Sequence, residues 1–179
     1  LYPQREALGE EEPHFEIAGE RVETIDAVLS GNVRVLVTTL VATAELTRMA
    51  GAVEATRIYC AEGTTIRLPD FVERLSSMGY ERRPSTLDVA QFAVRGGIVD
   101  VYGFGMAAPA RIEWWGDEIA SIREFDLDSQ RSEGSVDSVT ILPVNPRAAE
   151  AGGEGSHAST RLPARPSDEG QSEASRKSL

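Results

Sequence analysis

Residues 111–122 decide the fold, and they read RIEWWGDEIASI. Strand-forming residues lie on both sides of Gly116-Asp117, and two turn residues between two such runs are typical of a β-hairpin. Because successive side chains of a strand point to opposite faces, one face of the predicted hairpin carries Ile112, Trp114, Ile119 and Phe125. The other face carries Arg111, Glu113, Trp115 and Glu118. The hairpin therefore predicts a sheet with a core on one side and, on the other, an arginine and an indole about 13 Å apart.

The residues around this hairpin predict more strands and one helix. Strand composition occurs at residues 57–60, 64–68, 80–83, 91–94, 98–102, 110–115, 118–125 and 139–142. Pro69 can occupy the first turn of a helix, Gly79 can end it, and its apolar side carries Phe71, Val72, Leu75 and Met78. Since the connections are short, we expect an antiparallel sheet with one helix packed on it.

The amino-terminal part of the chain predicts a different arrangement. Apolar residues at helical spacing predict a helix over residues 17–30, ended by Gly31 in a left-handed conformation. The β-branched run at residues 33–39 is typical of a strand covered on both faces in a parallel sheet, and a short helix is predicted at residues 40–49. A change of composition predicts a boundary near residues 52–55. The fold class is therefore α/β plus α+β.

The composition argues against several classes of protein. Asp and Glu number 29 against 18 Lys and Arg, and the net charge of -11 argues against binding duplex phosphate by charge alone. Cys60, His14 and His157 make no plausible zinc set, so neither a metal nor a cofactor is expected in this chain.

No apolar run is long enough to cross a membrane, and the cysteine content fits a reducing cytoplasm. The start at Leu1 suggests a piece of a longer protein, and residues 147–179 are predicted to be a disordered tail.

No motif in the chain favours catalysis. The carboxylates that could act as a pair fall on turns and solvent-facing positions, as is typical of solvated charge: Asp117, Glu118, Asp126 and Asp128. Cys60 has no neighbouring histidine to activate it and is expected to be a small buried hydrophobe. Residues 103–105 read GFG, but no phosphate-binding lysine follows them, so they indicate a turn at a strand end.

An exposed indole beside an arginine is the better candidate for a function. Trp and Arg on a rigid strand supply much of the binding energy at protein interfaces, so Trp115 and Arg111 are candidate partner-binding residues. The alternative is that Trp115 covers the edge of a small core.

Arg95 is a third candidate whose direction the sequence leaves open. Strand parity places it with the apolar residues that follow Gly96-Gly97, whereas a bulge at these glycines would turn it to the side of Arg111. There it would complete a two-arginine patch suited to carboxylates of a partner. The other possibility is a structural arginine paired with Asp100 or Glu113.

Three segments resemble a known family. Residues 92–102 read FAVRGGIVDVY, residues 111–119 read RIEWWGDEI, and residues 125–132 read FDLDSQRS. Together they resemble the amino-terminal module of bacterial transcription-repair coupling factors, over about residues 1–145. The first two segments are also similar to the excinuclease protein UvrB, whereas the SQRS continuation favours the coupling factor.

The resemblance implies a division into parts. Residues 1–54 would be a partial αβ subdomain, residues 55–132 an inserted α+β domain that binds the excinuclease protein UvrA, and residues 133–146 the return strand to the first subdomain. Residues 147–179 remain as the tail.

The resemblance also implies a function in nucleotide excision repair. The family module lacks ATPase activity and recruits UvrA to stalled RNA polymerase through two arginines and an aromatic, roles that fall on Arg95, Arg111 and Trp115. The rim would be Glu113, Asp117 and Glu118. Replacing Arg111 or Trp115 by alanine is then expected to weaken binding by about 2 kcal/mol or more in each case, without unfolding the domain. This chain departs from the family in having Trp at positions 114 and 115, where Phe is usual.

The longer protein that the resemblance implies is an ATP-dependent DNA translocase that displaces stalled RNA polymerase. ATP, Mg²⁺, RNA polymerase and double-stranded DNA would be bound by its other parts, because this chain has no Walker motif. Two alternatives stay open. One is a fragment of UvrB, the damage-binding ATPase of the excinuclease complex, and the other is an unrelated acidic scaffold protein.

Overall fold

The computed structural model of the chain describes residues 1–3 and 15–144. Within these residues the elements follow in the order α1 (Phe15–Leu29), α2 (Leu40–Thr56), β1 (Ile58–Ala61), α3 (Leu68–Ser77), β2 (Glu81–Arg82), β3 (Gln91–Arg95), β4 (Ile98–Tyr102), β5 (Ala110–Trp115), β6 (Glu118–Phe125), β7 (Ser132–Ser135) and β8 (Ser138–Ile141). The predicted disordered tail and His14 lie outside the described residues.

A six-stranded sheet in the order β2-β3-β4-β5-β6-β7 dominates the fold. Its neighbours are antiparallel, except that β2 runs parallel to β3. The β3-β4 and β5-β6 hairpins close through Gly96-Gly97 and Gly116-Asp117, and Gly96 and Gly116 have φ angles of 61° and 64°, which glycine adopts without strain. A separate two-stranded antiparallel sheet joins β1 to β8, which lies within residues 133–146. The predicted combination of α-helices and β-strands is therefore confirmed, with one small antiparallel sheet and one larger mixed sheet.

The main core lies between α3 and one face of the six-stranded sheet. Pro69 stands in the first turn of α3, as predicted, and the helix buries Phe71 and Leu75. The Phe71 ring lies 5.0 Å from the Trp114 ring, measured between centroids. The sheet contributes Phe92, Val99, Val101, Ala110, Ile112, Trp114, Ile119 and Ile122 to this core. Alternation along the strands thus directs one face inward, as the hairpin sequence predicts.

A bulge in β6 changes the direction of its later residues. The register shifts between the pairs Glu113↔Ser121 and Trp114↔Ile119, so the bulged strand has one extra residue there. Ile119 and Ile122 both enter the core although they are three positions apart. Phe125 is buried, as predicted, but the prediction that it shares a face with Ile112 and Trp114 is wrong, because alternation from Ile122 turns it to the opposite face.

Helices α1 and α2 form a second, smaller core. It contains Tyr2, Val22, Ile25, Ala42, Val53 and Leu142. Gly31 ends α1 with a φ of 72°, as predicted. α2 is longer than predicted, since it runs through Gly51 and the expected boundary to Thr56.

The strand predicted at residues 33–39 is wrong. Val35 is 78% exposed, and the backbone of Val37 accepts a hydrogen bond from the Tyr2 amide at 3.0 Å. A strand of a parallel sheet needs other strands beside it, and none of the strands in the described residues pairs with this segment. Tyr2 also accepts a hydrogen bond at its carbonyl from the Thr38 hydroxyl at 3.0 Å, but it forms no strand.

Three smaller differences concern the sheet. The strand predicted at residues 64–68 is reduced to a bridge between Thr65 and Glu118, and the strand predicted at 80–83 shrinks to β2. β7 was not predicted, because its sequence, SEGS, is fully exposed and has no apolar alternation.

The two cores meet where α1 contacts the turn after β4. The Glu23 carboxylate accepts a hydrogen bond from the Gly105 amide at 2.8 Å, and the Tyr80 hydroxyl donates to the Leu142 carbonyl at 2.8 Å. Gly19 lies against the Phe104 ring, and an added Cβ would be 2.3 Å from the ring atom Cε1. α1 is therefore held to the sheet by a close approach that only glycine allows.

Gly19→Ala is expected to lower the free energy of unfolding by about 1–3 kcal/mol, because the buried Phe104 ring must move. Gly51→Ala is the matched control. Gly51 lies in α2 with open space around its Cβ position, so alanine there is expected to raise stability by about 0.5–1 kcal/mol. Urea unfolding of both variants measures the difference, and equal midpoints would argue against the close approach.

Among the described residues, none of the helices combines the length and the apolar character needed to cross a membrane.

Candidate partner-binding face

The face of the six-stranded sheet that points away from α3 collects the predicted binding residues, and we call it the Asp100 face. Cross-strand register places Ala93, Asp100, Arg111 and Arg123 in one row of this face. The next row toward the hairpin ends contains Arg95, Ile98, Glu113 and Ser121. Trp115 and Glu118 form the last pair of the β5-β6 hairpin. The Asp100 face is therefore polar where the opposite face is apolar.

Asp100 is completely buried, and Arg111 is its main partner. The Arg111 Nε donates to Oδ1 at 2.7 Å and its Nη2 donates to Oδ2 at 3.0 Å, a bidentate pairing. This hydrogen bonding raises the pKa of Arg111 above its ordinary value, so the guanidinium stays charged. A buried carboxylate is tolerated only when it is paired in this way.

Arg111 is fixed by further contacts on its other side. Its Nη1 donates to the Gln130 carbonyl at 3.3 Å and to the Ser132 hydroxyl at 3.1 Å, and its guanidinium carbon lies 4.8 Å from the centre of the Phe125 ring. Only 13% of its side chain is exposed. Arg111 is thus an ordered part of the sheet, with its edge at the surface.

Arg95 also reaches Asp100, and its Nη2 donates to Oδ2. The prediction that strand parity places it on the apolar side is wrong. In a two-residue hairpin the residues that flank the turn are cross-strand partners, here Arg95 and Ile98, so parity changes across the turn. No bulge at the glycines is needed to bring Arg95 to the face of Arg111.

Trp115 projects from the end of β5 into solvent with 84% of its surface exposed. The alternative that it covers the edge of the core is therefore wrong. Its neighbour Trp114 is buried, donates from its indole N–H to the Ile66 carbonyl at 2.8 Å, and packs on Phe71. Trp114 therefore fixes the end of β5 to the core, and Trp115 is exposed to solvent on the same strand.

The acidic residues near Trp115 differ in exposure and in hydrogen bonding. Glu113 accepts a hydrogen bond from the Ser121 hydroxyl at 3.1 Å and lies 3.8 Å from Arg123. Asp117 and Glu118 are exposed at the hairpin turn. The carboxylates thus lie beside the indole, and the arginines lie farther along the sheet.

The residues that the sequence offers for catalysis contribute to the core or to turns in the structure. Cys60 is buried in the main core as predicted, and burial raises the pKa of its thiol to about 12, so the thiolate needed for a nucleophile is not formed near neutral pH. The Asp126 carboxylate accepts the Ser129 amide at 2.8 Å, which lowers the pKa of Asp126 and holds the turn before Gln130. Residues 103–105 form the turn that contacts α1.

Two residues of this face were underestimated from the sequence. From the sequence, Asp100 is predicted only as a possible partner of Arg95, although a charge inside the apolar run IVDVY is typical of a buried ion pair. Gln130 was missed. Its side-chain amide donates to the Thr86 and Leu127 carbonyls at 3.1 and 2.8 Å, which fixes the loop that supports Arg111.

Comparison with protein families identifies the segment that carries this face. A family model described as the UvrB interaction domain matches residues 58–146, which include β1 to β8, α3 and the Asp100 face. Residues 58–146 are thus similar to the UvrB interaction domain family. The match begins at the first residue of β1, so the small sheet and the six-stranded sheet both lie within the matched segment.

Curated relatives that match 46% to 80% of this chain are named transcription-repair-coupling factor, as the resemblance indicated. The protein of Bacillus subtilis (strain 168) is 29% identical over 146 residues, which is 80% of this chain and 12% of that protein. The protein of Staphylococcus aureus (strain USA300) is also 29% identical over 146 residues. The protein of Staphylococcus haemolyticus (strain JCSC1435) is 36% identical over 83 residues, 46% of this chain and 7% of that protein. The chain thus spans 12% or less of the length of these relatives.

Proposed function

We propose that the UvrB interaction domain of this chain docks the excinuclease protein UvrA through Arg95, Arg111 and Trp115, and so serves nucleotide excision repair coupled to transcription. The single observation that carries the proposal is the exposed Trp115 on the same face as the two arginines. The family match and the names of the relatives support the choice of partner.

The side chains have the properties of an interface centre. An indole can bury roughly 150–250 Å², and at about 25 cal/mol per Å² this area favours association by several kcal/mol before the costs of ordering. Trp115 begins from 84% exposure, so most of its area is available. Its strand is anchored by Trp114, which limits the conformational entropy lost on binding.

The charges of the face favour a particular kind of contact. Two guanidiniums share one carboxylate, so the cluster of Arg95, Arg111 and Asp100 keeps a net positive charge within a chain of net charge -11. Planar guanidinium groups suit carboxylates of a partner. The exposed Asp117 and Glu118 suit basic groups at the other end of the contact.

The remaining expected activities belong to the longer protein in this proposal. An ATP-dependent DNA translocase that displaces stalled RNA polymerase would use ATP and Mg²⁺ and bind double-stranded DNA through parts outside this chain. The chain itself serves recruitment in the cytoplasm.

Trp115→Ala is expected to weaken binding of the full chain to purified UvrA by about 30-fold or more, because a central aromatic is lost from the contact. Isothermal titration at fixed ionic strength measures the affinity. The matched control is Val35→Ala, since Val35 is similarly exposed but lies between α1 and α2, outside the Asp100 face.

The proposal predicts that the control binds as the unchanged chain does. Equal affinity of the Trp115 variant and the unchanged chain would overturn it, as would the absence of any binding by the unchanged chain. Circular dichroism of each variant checks that the fold is retained.

A further inference from the structure

Asp100 lies at the centre of the Asp100 face without contact with solvent. It is 0% exposed, and its cross-strand neighbours on this face are Ala93 on β3 and Arg111 on β5. Arg95 lies two residues beyond Ala93 on the same face of β3 and reaches past that small side chain to the carboxylate. One buried carboxylate therefore receives a guanidinium from each side.

The two arginines are not equivalent. Arg111 uses Nε, Nη1 and Nη2 in hydrogen bonds with described residues and is 13% exposed. Arg95 uses only Nη2 and is 47% exposed, and its Nε and Nη1 have no hydrogen bond with any residue of the described part of the chain. Arg95 is therefore the guanidinium with donors available to a partner.

We infer that Asp100 is a positioning residue for partner binding, which holds Arg95 so that its remaining donors meet an acidic group of the partner. This inference rests on the proposed function. A free arginine samples many rotamers, and binding must order it, whereas an arginine already held by a buried carboxylate loses less entropy. Asp100 itself does not touch the partner, because it is buried beneath the two guanidiniums.

Asp100→Asn separates this inference from simple attraction by charge. The substitution keeps the size of the side chain and removes one negative charge, so attraction by net charge alone would strengthen binding to an acidic group. Loss of positioning has the opposite sign, and we expect affinity for UvrA to fall roughly tenfold. The full chain is titrated with purified UvrA, and its unfolding midpoint is measured in the same buffer.

A double-mutant cycle distinguishes positioning from a loss of fold. In the Arg95→Ala background, Asp100→Asn is expected to weaken binding less than it does in the unchanged chain, because only its effect on Arg111 remains. A merely structural role would reduce binding equally in both backgrounds. Arg95→Lys keeps the charge and the Asp100 carboxylate but loses the planar fork, and it is expected to bind nearly as weakly as Arg95→Ala.

The outcomes separate the inference from the function on which it rests. Stronger or unchanged binding by Asp100→Asn, an equal loss in both backgrounds, or full binding by Arg95→Lys would overturn the inference while the Trp115→Ala result still upholds the function. If Asp100→Asn does not fold, the comparison of Arg95→Lys with Arg95→Ala decides the matter alone. If the unchanged chain does not bind UvrA, the function and the inference both fail.

Discussion

Arg111→Ala is expected to lower the free energy of unfolding by about 3–5 kcal/mol, as is typical when one partner of a buried ion pair is removed. Asp100 would remain buried with only the half-exposed Arg95 as a partner. The Phe125 ring and the Gln130 carbonyl would also lose the guanidinium that contacts them. Urea unfolding followed by circular dichroism measures the effect.

Because Arg111→Ala is expected to destabilise the fold, weaker binding by this variant would not by itself show that Arg111 contacts the partner. The sequence alone predicts a loss of affinity with the fold intact, whereas the geometry predicts a loss of stability as well. Arg95→Ala is the control, and it is expected to cost less than about 1 kcal/mol because Asp100 keeps its bidentate partner. Asp100→Ala combined with Arg111→Ala is expected to be less destabilising than the sum of the single variants. A loss below about 1 kcal/mol for Arg111→Ala would contradict the assignment of Arg111 as the main partner of Asp100.

Phe71→Ala is expected to lower the free energy of unfolding by about 3–5 kcal/mol through the cavity that it leaves. Phe71 is fully buried, and its ring packs on the Trp114 ring at 5.0 Å. The cavity would open directly beneath the strand that presents Trp115. Thermal and urea unfolding measure the loss of stability.

Leu87→Ala is the control for the removal of a large apolar side chain, because Leu87 is exposed in the loop before β3. It is expected to change stability by less than about 0.5 kcal/mol. Under conditions in which the Phe71 variant remains folded, its affinity for UvrA is expected to be unchanged, since Phe71 lies on the core side of the sheet. A small effect of Phe71→Ala on stability would contradict the assignment of α3 as the cover of the main core.

Much of the central sheet could be predicted because its signals are local. The β5-β6 hairpin depends on Gly116-Asp117 and on the alternation beside it, and α3 depends on Pro69 and on apolar residues at helical spacing. The face on which Trp115 lies follows from the same alternation, whereas its 84% exposure is seen only in the structure. Each of these features is determined within about a dozen residues.

The incorrect predictions concern features that depend on contacts between residues distant in sequence or on irregularities of the strands. Residues 33–39 have strand composition, but a strand forms only where neighbouring strands are available to pair with it. The bulge in β6 reverses Phe125, and the tight turn at Gly96-Gly97 reverses Arg95, although neither changes the composition of its strand. The shared carboxylate of Asp100 depends on residues from three strands and could be recognised only from their register.

The opposite directions of Trp114 and Trp115 give the domain two distinct fluorophores. Trp114 is 8% exposed and Trp115 is 84% exposed, so we expect Trp115 to emit at longer wavelength, as an indole in water does. These are the two tryptophans of the chain. With a partner that contains no tryptophan, a blue shift during complex formation would thus originate in Trp115. A red shift during denaturation would originate mainly in Trp114, so light emission reports docking and unfolding separately without an added dye.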